Sequence, residues 1–290
     1  MEIDSRPELD RPNIIASFQG WNDAGQAAST AVRFLIENWK AQPFARIDPE
    51  EYFSFSDTRP TIRIVDGNSR ELSWPRNEFF YSKGESGTPD AILLAGIEPN
   101  LKWRTFCGEI MDLAKSFNAR RFMTMGSLIT DAVHTRPVQL TGFSTDPAVQ
   151  AKFAVRSITR STYEGPTGIV GVLHSACRDA GLPAGSLWAA TPYYLGSTPN
   201  PKTALGLLAT MGDALELNLD LREMNLVADE FVKQVSLAVR ENTEIQQQIE
   251  ALEQRYDESG AAPQAPPEFP PTGAIIADLE NYLRTQRNDG

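Results

Sequence analysis

An α/β fold with a mainly parallel or mixed sheet, covered by helices on both faces and followed by a helical extension, is what this sequence predicts. Three observations carry that expectation. Over the first two-thirds of the chain, short β-rich runs alternate with helix-like segments, the pattern of βα units. Residues 91–97 (AILLAGI) form one continuous apolar run, as expected of a strand buried on both faces. After Leu219 the texture is helical alone as far as Tyr256.

Taken in order, residues 13–18 (NIIASF) read as the first strand and run into GWNDAG at 20–25. The segment 26–39 then places Ala27, Ala31, Phe34, Leu35 and Trp39 at helical spacing. Between Tyr52 and Ser82 short β runs follow, with 61–65 and 70–74 flanking Asp66-Gly67-Asn68 as a hairpin. A helix over 101–117 follows the apolar strand, and residues 121–125, 138–143 and 186–191 read as further strands. Helices are predicted over 167–181, closed by Gly181, and over 203–217. Beyond them Met224, Phe231, Val235, Ala238, Ile245, Ile249, Leu252 and Tyr256 recur at steps of three, four or seven, giving one apolar stripe. The expected organisation is an α/β unit over 1–218, a helical subdomain packed on it over 219–258, a Pro-rich linker over 259–273, and an amphipathic helix over 274–286 bearing Ile275, Ile276, Leu279, Tyr282 and Leu283.

Composition narrows the function classes. With 27 basic and 38 acidic residues, the net charge of −11 repels phosphate backbones, and Arg120-Arg121 is the densest basic pairing, so nucleic acid is not an expected partner. No apolar run approaches the ~20 residues of a membrane helix or follows Met1 as a signal segment would, which predicts a cytoplasmic protein without a membrane partner. Cys107 and Cys177 lie in helical stretches without paired spacing and read as buried thiols. His134 and His174 lack companions at ligand spacing, so no metal or other cofactor is expected. A G-x-S-x-G elbow is absent, as are Walker and dinucleotide glycine patterns, and no catalytic residue can be assigned.

Candidate contact residues follow from where open parallel sheets place their crevices, at the strand C-terminal ends. Trp21, Asn22 and Asp23 follow the first strand, where Asn22 or Asp23 can equally cap the next helix. Glu98 and Asn100 follow the central strand; the Glu98 carboxylate can hold a ligand hydroxyl or amine, or satisfy backbone donors. Ser127 and Tyr193 complete the rim if their strands are neighbours. His134 and Arg136, in the polar turn DAVHTRP, are the remaining candidates, whereas His174 reads as a packing residue.

The segments GWNDAG (20–25), GIEPNLKW (96–103), AVHTRPVQLTG (132–142), YEGPTGIVGVL (163–173), TPYY (191–194) and ENTEIQQQIEALEQRYDE (241–258) together resemble the proteasome assembly chaperone 2 family, in its actinobacterial branch. The resemblance runs in order from about Asn13 to Glu258. It implies a three-layer α/β/α fold similar to that of nucleoside phosphorylases, and self-association, for which a trimer is the expected number. It also implies an assembly-factor role with proteasome-related partners, although the ending Asn288-Asp289-Gly290 departs from the hydrophobic-Tyr-any tail of archaeal relatives. Two readings stand: a protein working through oligomerisation and protein contacts, or a small-molecule-binding or phosphorylase-like enzyme using the strand-end crevice.

Overall fold

The computed structural model describes residues 1–67, 69–85 and 87–259. Their elements run β1 (Glu2–Ile3), β2 (Asn13–Gln19), α1 (Ala27–Asn38), β3 (Gln42–Ile47), β4 (Thr61–Val65), β5 (Ser69–Ser73), β6 (Asn77–Ser82), β7 (Ala91–Ile97), α2 (Trp103–Ser116), β8 (Arg121–Thr130), β9 (Leu140–Ser144), α3 (Pro147–Val155), α4 (Ile169–Asp179), β10 (Ala184–Pro192), α5 (Pro201–Leu215), α6 (Arg222–Arg240) and α7 (Thr243–Ser259). Eight strands form one sheet in the order β1-β3-β6-β7-β2-β8-β10-β9. The four central strands, β7-β2-β8-β10, are mutually parallel; the flanking pairs are antiparallel, so the sheet is mixed.

Period-2 alternation distributes the central strands between two cores. In β2, Ile14, Ala16 and Phe18 face one side with Phe106 and Ile110 of α2 and Leu173 of α4, while Ile15 faces the other with α1, α3 and α5. In β7, Ile92 and Leu94 join the first core and Leu93 the second. Helices therefore cover both faces, which is the three-layer α/β/α arrangement. Cys107 and Cys177 are buried in the first core, and burial pushes both thiols up to about 12.

The sequence reading assigned no element to β1, β3 or α3, and placed β6 only within a stretch of short β runs over 52–82. β3 and β6 extend the sheet on its antiparallel side, and α3 begins at Asp146-Pro147, where the Asp146 carboxylate accepts from the Ala148 and Val149 amides and Pro147 opens the helix. β8 runs five residues past its predicted end. The helix predicted from Leu101 begins at Trp103, because Lys102 is left-handed (φ 52°).

α6 and α7 form a helical hairpin. From Phe231 to Leu252 the predicted stripe closes the pair onto Val133, Tyr194 and Leu195, with Tyr256 half-buried against the same cluster; Met224 joins the second core instead. The linker and terminal helix expected over 259–273 and 274–286 lie outside the described residues, apart from Ser259, which ends α7. β4 and β5 pair with each other outside the main sheet.

Candidate functional site

Because β7, β2, β8 and β10 are parallel neighbours, the segments that follow them meet at one end of the sheet. After β2, the chain turns through Gly20 (φ 117°) and Gly25 (φ 60°). At Gly25 a side chain would strain the left-handed backbone and press on Thr191 and Asn200, each 3.1 Å from where a Cβ would stand. That turn delivers the Asp23 carboxylate to the start of α1, where Oδ1 accepts from the amides of Ala28 (2.8 Å) and Ser29 (3.1 Å). Burial raises the Asp23 pKa, opposed by its Ser29 and Ala28 hydrogen bonds, and its Oδ2 is buried without a hydrogen-bond partner among the described residues.

Glu98 Oε1 accepts from Asn22 Nδ2 (2.9 Å) and from the amide of Ile169 (2.7 Å), the first residue of α4. One carboxylate thus joins the β2 turn, the β7 turn and a helix N-terminus that carries partial positive charge. Gly168 permits it: a Cβ there would stand 2.6 Å from both Asn22 Nδ2 and Glu98 Oε1. Ser127 is fully buried and donates from Oγ to the Ala24 carbonyl at 2.7 Å, while its amide donates to Asn22 O. Glu98 thus satisfies a side-chain donor and a backbone donor in this geometry. We expect Glu98→Ala to lower stability by about 1–3 kcal/mol, because two buried donors lose their acceptor, and Glu98→Gln to recover most of it; thermal melts that failed to separate the two variants would show that shape is not what matters.

Asn22, Asp23, Glu98 and Ser127 are therefore brought together, with Trp21 exposed on the same turn. Asn100 is not part of that group: its side-chain carbonyl accepts from the Ser54 amide and the Thr58 hydroxyl, pinning the 54–58 loop. His134, Arg136 and Tyr193 form a second group beside the α6–α7 hairpin. Although its turn is polar in sequence, His134 is only 3 % exposed. Its amide donates to the Tyr194 hydroxyl, which leaves that hydroxyl's proton for Nδ1 (2.8 Å); Nε2–H then donates to Ser236 Oγ (3.1 Å), which itself donates to Val232 O. Burial, and secondarily the Lys202 ammonium, pushes the His134 pKa down to about 4. Lys202 donates to the carbonyls of His134 (2.5 Å) and Arg136 (2.6 Å). Arg136 reaches Asp257 with Nε and Nη2 and lies 3.6 Å from Glu253, fastening α7 to the loop. Tyr193 stacks edge-on to Tyr194.

Sequence reasoning missed Gly168–Ile169 and Lys202. For Gly168 the available signal was the Gly-rich approach to α4 in YEGPTGI; for Lys202 the cap signature Asn200-Pro201 marked the helix start but not the burial.

Large apolar side chains remain in water at the same sheet end. Leu101 after β7, Trp21 after β2, and Leu128 and Ile129 at the end of β8 are 48 %, 58 %, 41 % and 39 % exposed, and these three strands are adjacent. Two open clefts, of about 350 and 550 Å³, lie elsewhere: one where α1 ends and β7 begins, the other beside β3 and β6.

A three-layer α/β/α protein with a closed polar cluster and an apolar rim over parallel strand ends is thus defined. The PAC2 family model matches residues 17–239, and the chain belongs to that family. A PAC2 family protein from Streptomyces avermitilis is 38 % identical, covering 82 % of this chain and 99 % of its own, with a TM-score of 0.73. The proteasome-assembly chaperone homologue Rv2125 of Mycobacterium tuberculosis is 37 % identical with the same coverages and TM-score. The archaeal proteasome activator PbaB of Pyrococcus furiosus shares the fold at 20 % identity, covering 80 % of this chain and 94 % of its own, with a TM-score of 0.63. No curated protein matches the chain. Among the described residues no helix is long and apolar enough to cross a membrane.

Proposed function

We propose that this protein is a cytoplasmic, self-associating, chaperone-like assembly factor that grips a proteasome-related client through the apolar rim at the strand C-terminal ends. The observation that carries the reading is Trp21. It stands in water at the middle of a row supplied by three adjacent strands, beside a polar cluster whose hydrogen bonds are mostly spent internally. An exposed tryptophan, with exposed leucines at the ends of the strands on either side of its own, is a costly surface for a free protein and a suitable hot spot for a bound one. The relatives described as a proteasome-assembly chaperone homologue and a proteasome activator support the class of client.

The test uses purified proteasome subunits and their assembly intermediates as probes in surface plasmon resonance. Trp21→Ala is expected to weaken binding at least tenfold with an unchanged melting temperature, as truncation of a hot spot does. Equal affinity for wild type and variant, or no binding by either, would overturn the reading.

One observation favours a second reading, a small-molecule site. Asp23 Oδ2 is buried without a hydrogen-bond partner among the described residues, at the strand ends where such sheets place their ligands. A thermal-shift screen with nucleosides and phosphate supports this reading only if a stabilising compound loses its effect in Asp23→Asn.

A further inference from the structure

The apolar stripe of α6 and α7 keeps one phase through the turn that separates them. On α6, Ala228, Phe231, Val235 and Ala238 are buried at alternating steps of three and four, and on α7 Ile245, Ile249, Leu252 and Tyr256 continue the same alternation. Counted on from Ala238, the next steps of four and three fall on Asn242 and Ile245, so the count is not reset at the turn. Two helices folded back on each other need a stripe each but no shared phase, because the turn sets how they face. A phase held across both is what one continuous helix with a single apolar seam requires.

The break between them is small. Glu241 keeps right-handed helical angles (φ −74°, ψ −15°), and Asn242 supplies the stop: its Oδ1 accepts from the amides of Glu244 (3.0 Å) and Ile245 (3.2 Å) and so caps α7. In a continuous helix the same side chain would fall in the seam, where a polar residue costs stability, so Asn242 holds the chain in its folded-back form. α7 is also separable. Among the described residues its apolar side chains join α6, Val133, Tyr194 and Leu195 in one cluster and enter neither sheet core.

We propose that α6 and α7 also join as one helix, in which α7 leaves its own protomer and fills the same seat, against Val133, Tyr194 and Leu195, on a second copy of this chain. This rests on the proposed self-association and names its means. The contacts of the hairpin are remade between chains except at the turn, and each chain gives one helix and receives one, so a pair closes with both seats filled. Arg136 and Asp257, which pair within one chain in the hairpin, then pair between two.

Sedimentation velocity of the full chain tests it, with circular dichroism to establish folding. The wild type is expected to reach twice 32.0 kDa at micromolar concentration. Asn242→Leu removes the cap and fills the seam, and should tighten dimerisation roughly tenfold. A Gly-Ser-Gly-Ser insertion after Asn242 interrupts the long helix and should leave a folded monomer. Charge reversal reports the exchange itself. Arg136→Asp and Asp257→Arg each set like charges together wherever a chain, or a dimer of that variant, supplies both positions. Exchanged between the two variants, each α7 meets an opposite charge, so the co-expressed pair should dimerise about fivefold more tightly than either variant alone. A wild type that stays monomeric at every concentration overturns both the self-association and the exchange. A wild-type mass that survives the insertion, or a co-expressed pair no tighter than its separate variants, overturns the exchange and leaves the self-association standing.

Discussion

Replacing Asp146 by Ala is expected to destabilise the protein by about 3–5 kcal/mol, the range for stripping one partner from a buried ion pair, and to lower the melting temperature by roughly 10 °C. Asp146 holds two structures at once. Its Oδ2 lies 3.1 Å from Arg121 Nε at the start of β8, and Arg121 is only 4 % exposed, so its charge has little water to fall back on. Burial lowers the Arg121 pKa, with the Asp146 charge acting against that. Its Oδ1 meanwhile caps α3 through the amides of Ala148 and Val149. Asp146→Asn keeps a cap acceptor and loses the charge, so it should fall between wild type and Ala. Thermal melts in which Asn and Ala are equally harmful would show that the cap contributes nothing, and a loss below about 1 kcal/mol for Ala would show that Arg121 finds other solvation.

Acid should loosen the α6–α7 hairpin through His134. Its pKa is about 4 in the folded protein and about 6.5 in the unfolded chain, so the unfolded state takes up the proton first as pH falls. The stability it contributes is whole above about pH 6.5 and is lost progressively down to about pH 4, amounting to about 3 kcal/mol. The cause is specific. A proton on Nδ1 would face the Tyr194 hydroxyl that now donates to it, and the new charge would sit near Lys202, with Arg136 in the same loop. Asp257 and Glu253 of α7 are already engaged by Arg136, and Asp229 acts on Lys202, so no carboxylate contact of His134 itself offsets that charge. Denaturant titrations from pH 7 to pH 4 should show a shallower loss in His134→Gln than in wild type; equal slopes would remove His134 as the cause. The buried His174, whose pKa burial also lowers, remains in both proteins and cancels in the comparison.

The same residue illustrates what reading a sequence can miss. His134 lies in a run with Asp131, Thr135 and Arg136, whose polarity reads as a solvated turn, yet Tyr194, sixty positions on, and Ser236 on α6 close over it. Local polarity cannot report a cover contributed from far along the chain. Gly168 is similar: its need to be glycine comes from Asn22 and Glu98, which only the parallel pairing of β2 with β7 brings beside it.

By itself the sequence determined the elements whose signals lie within them: β2 and β7 as apolar strands, α1 and α2 and the stripe that closes α6 on α7 by their apolar pattern, and the exposed β4–β5 hairpin by its Asp66-Gly67 turn. Those signals are local, since side chains at steps of two or of three and four must share a face whatever lies opposite. The tertiary structure alone decided which strands are neighbours, and with that which end residues meet. Glu98 meets Asn22 and the first amide of α4 only because the order β7-β2-β8-β10 puts them within its reach. Strand order is a choice among whole-chain packings, made by the summed burial of both sheet faces, and no single segment contains it.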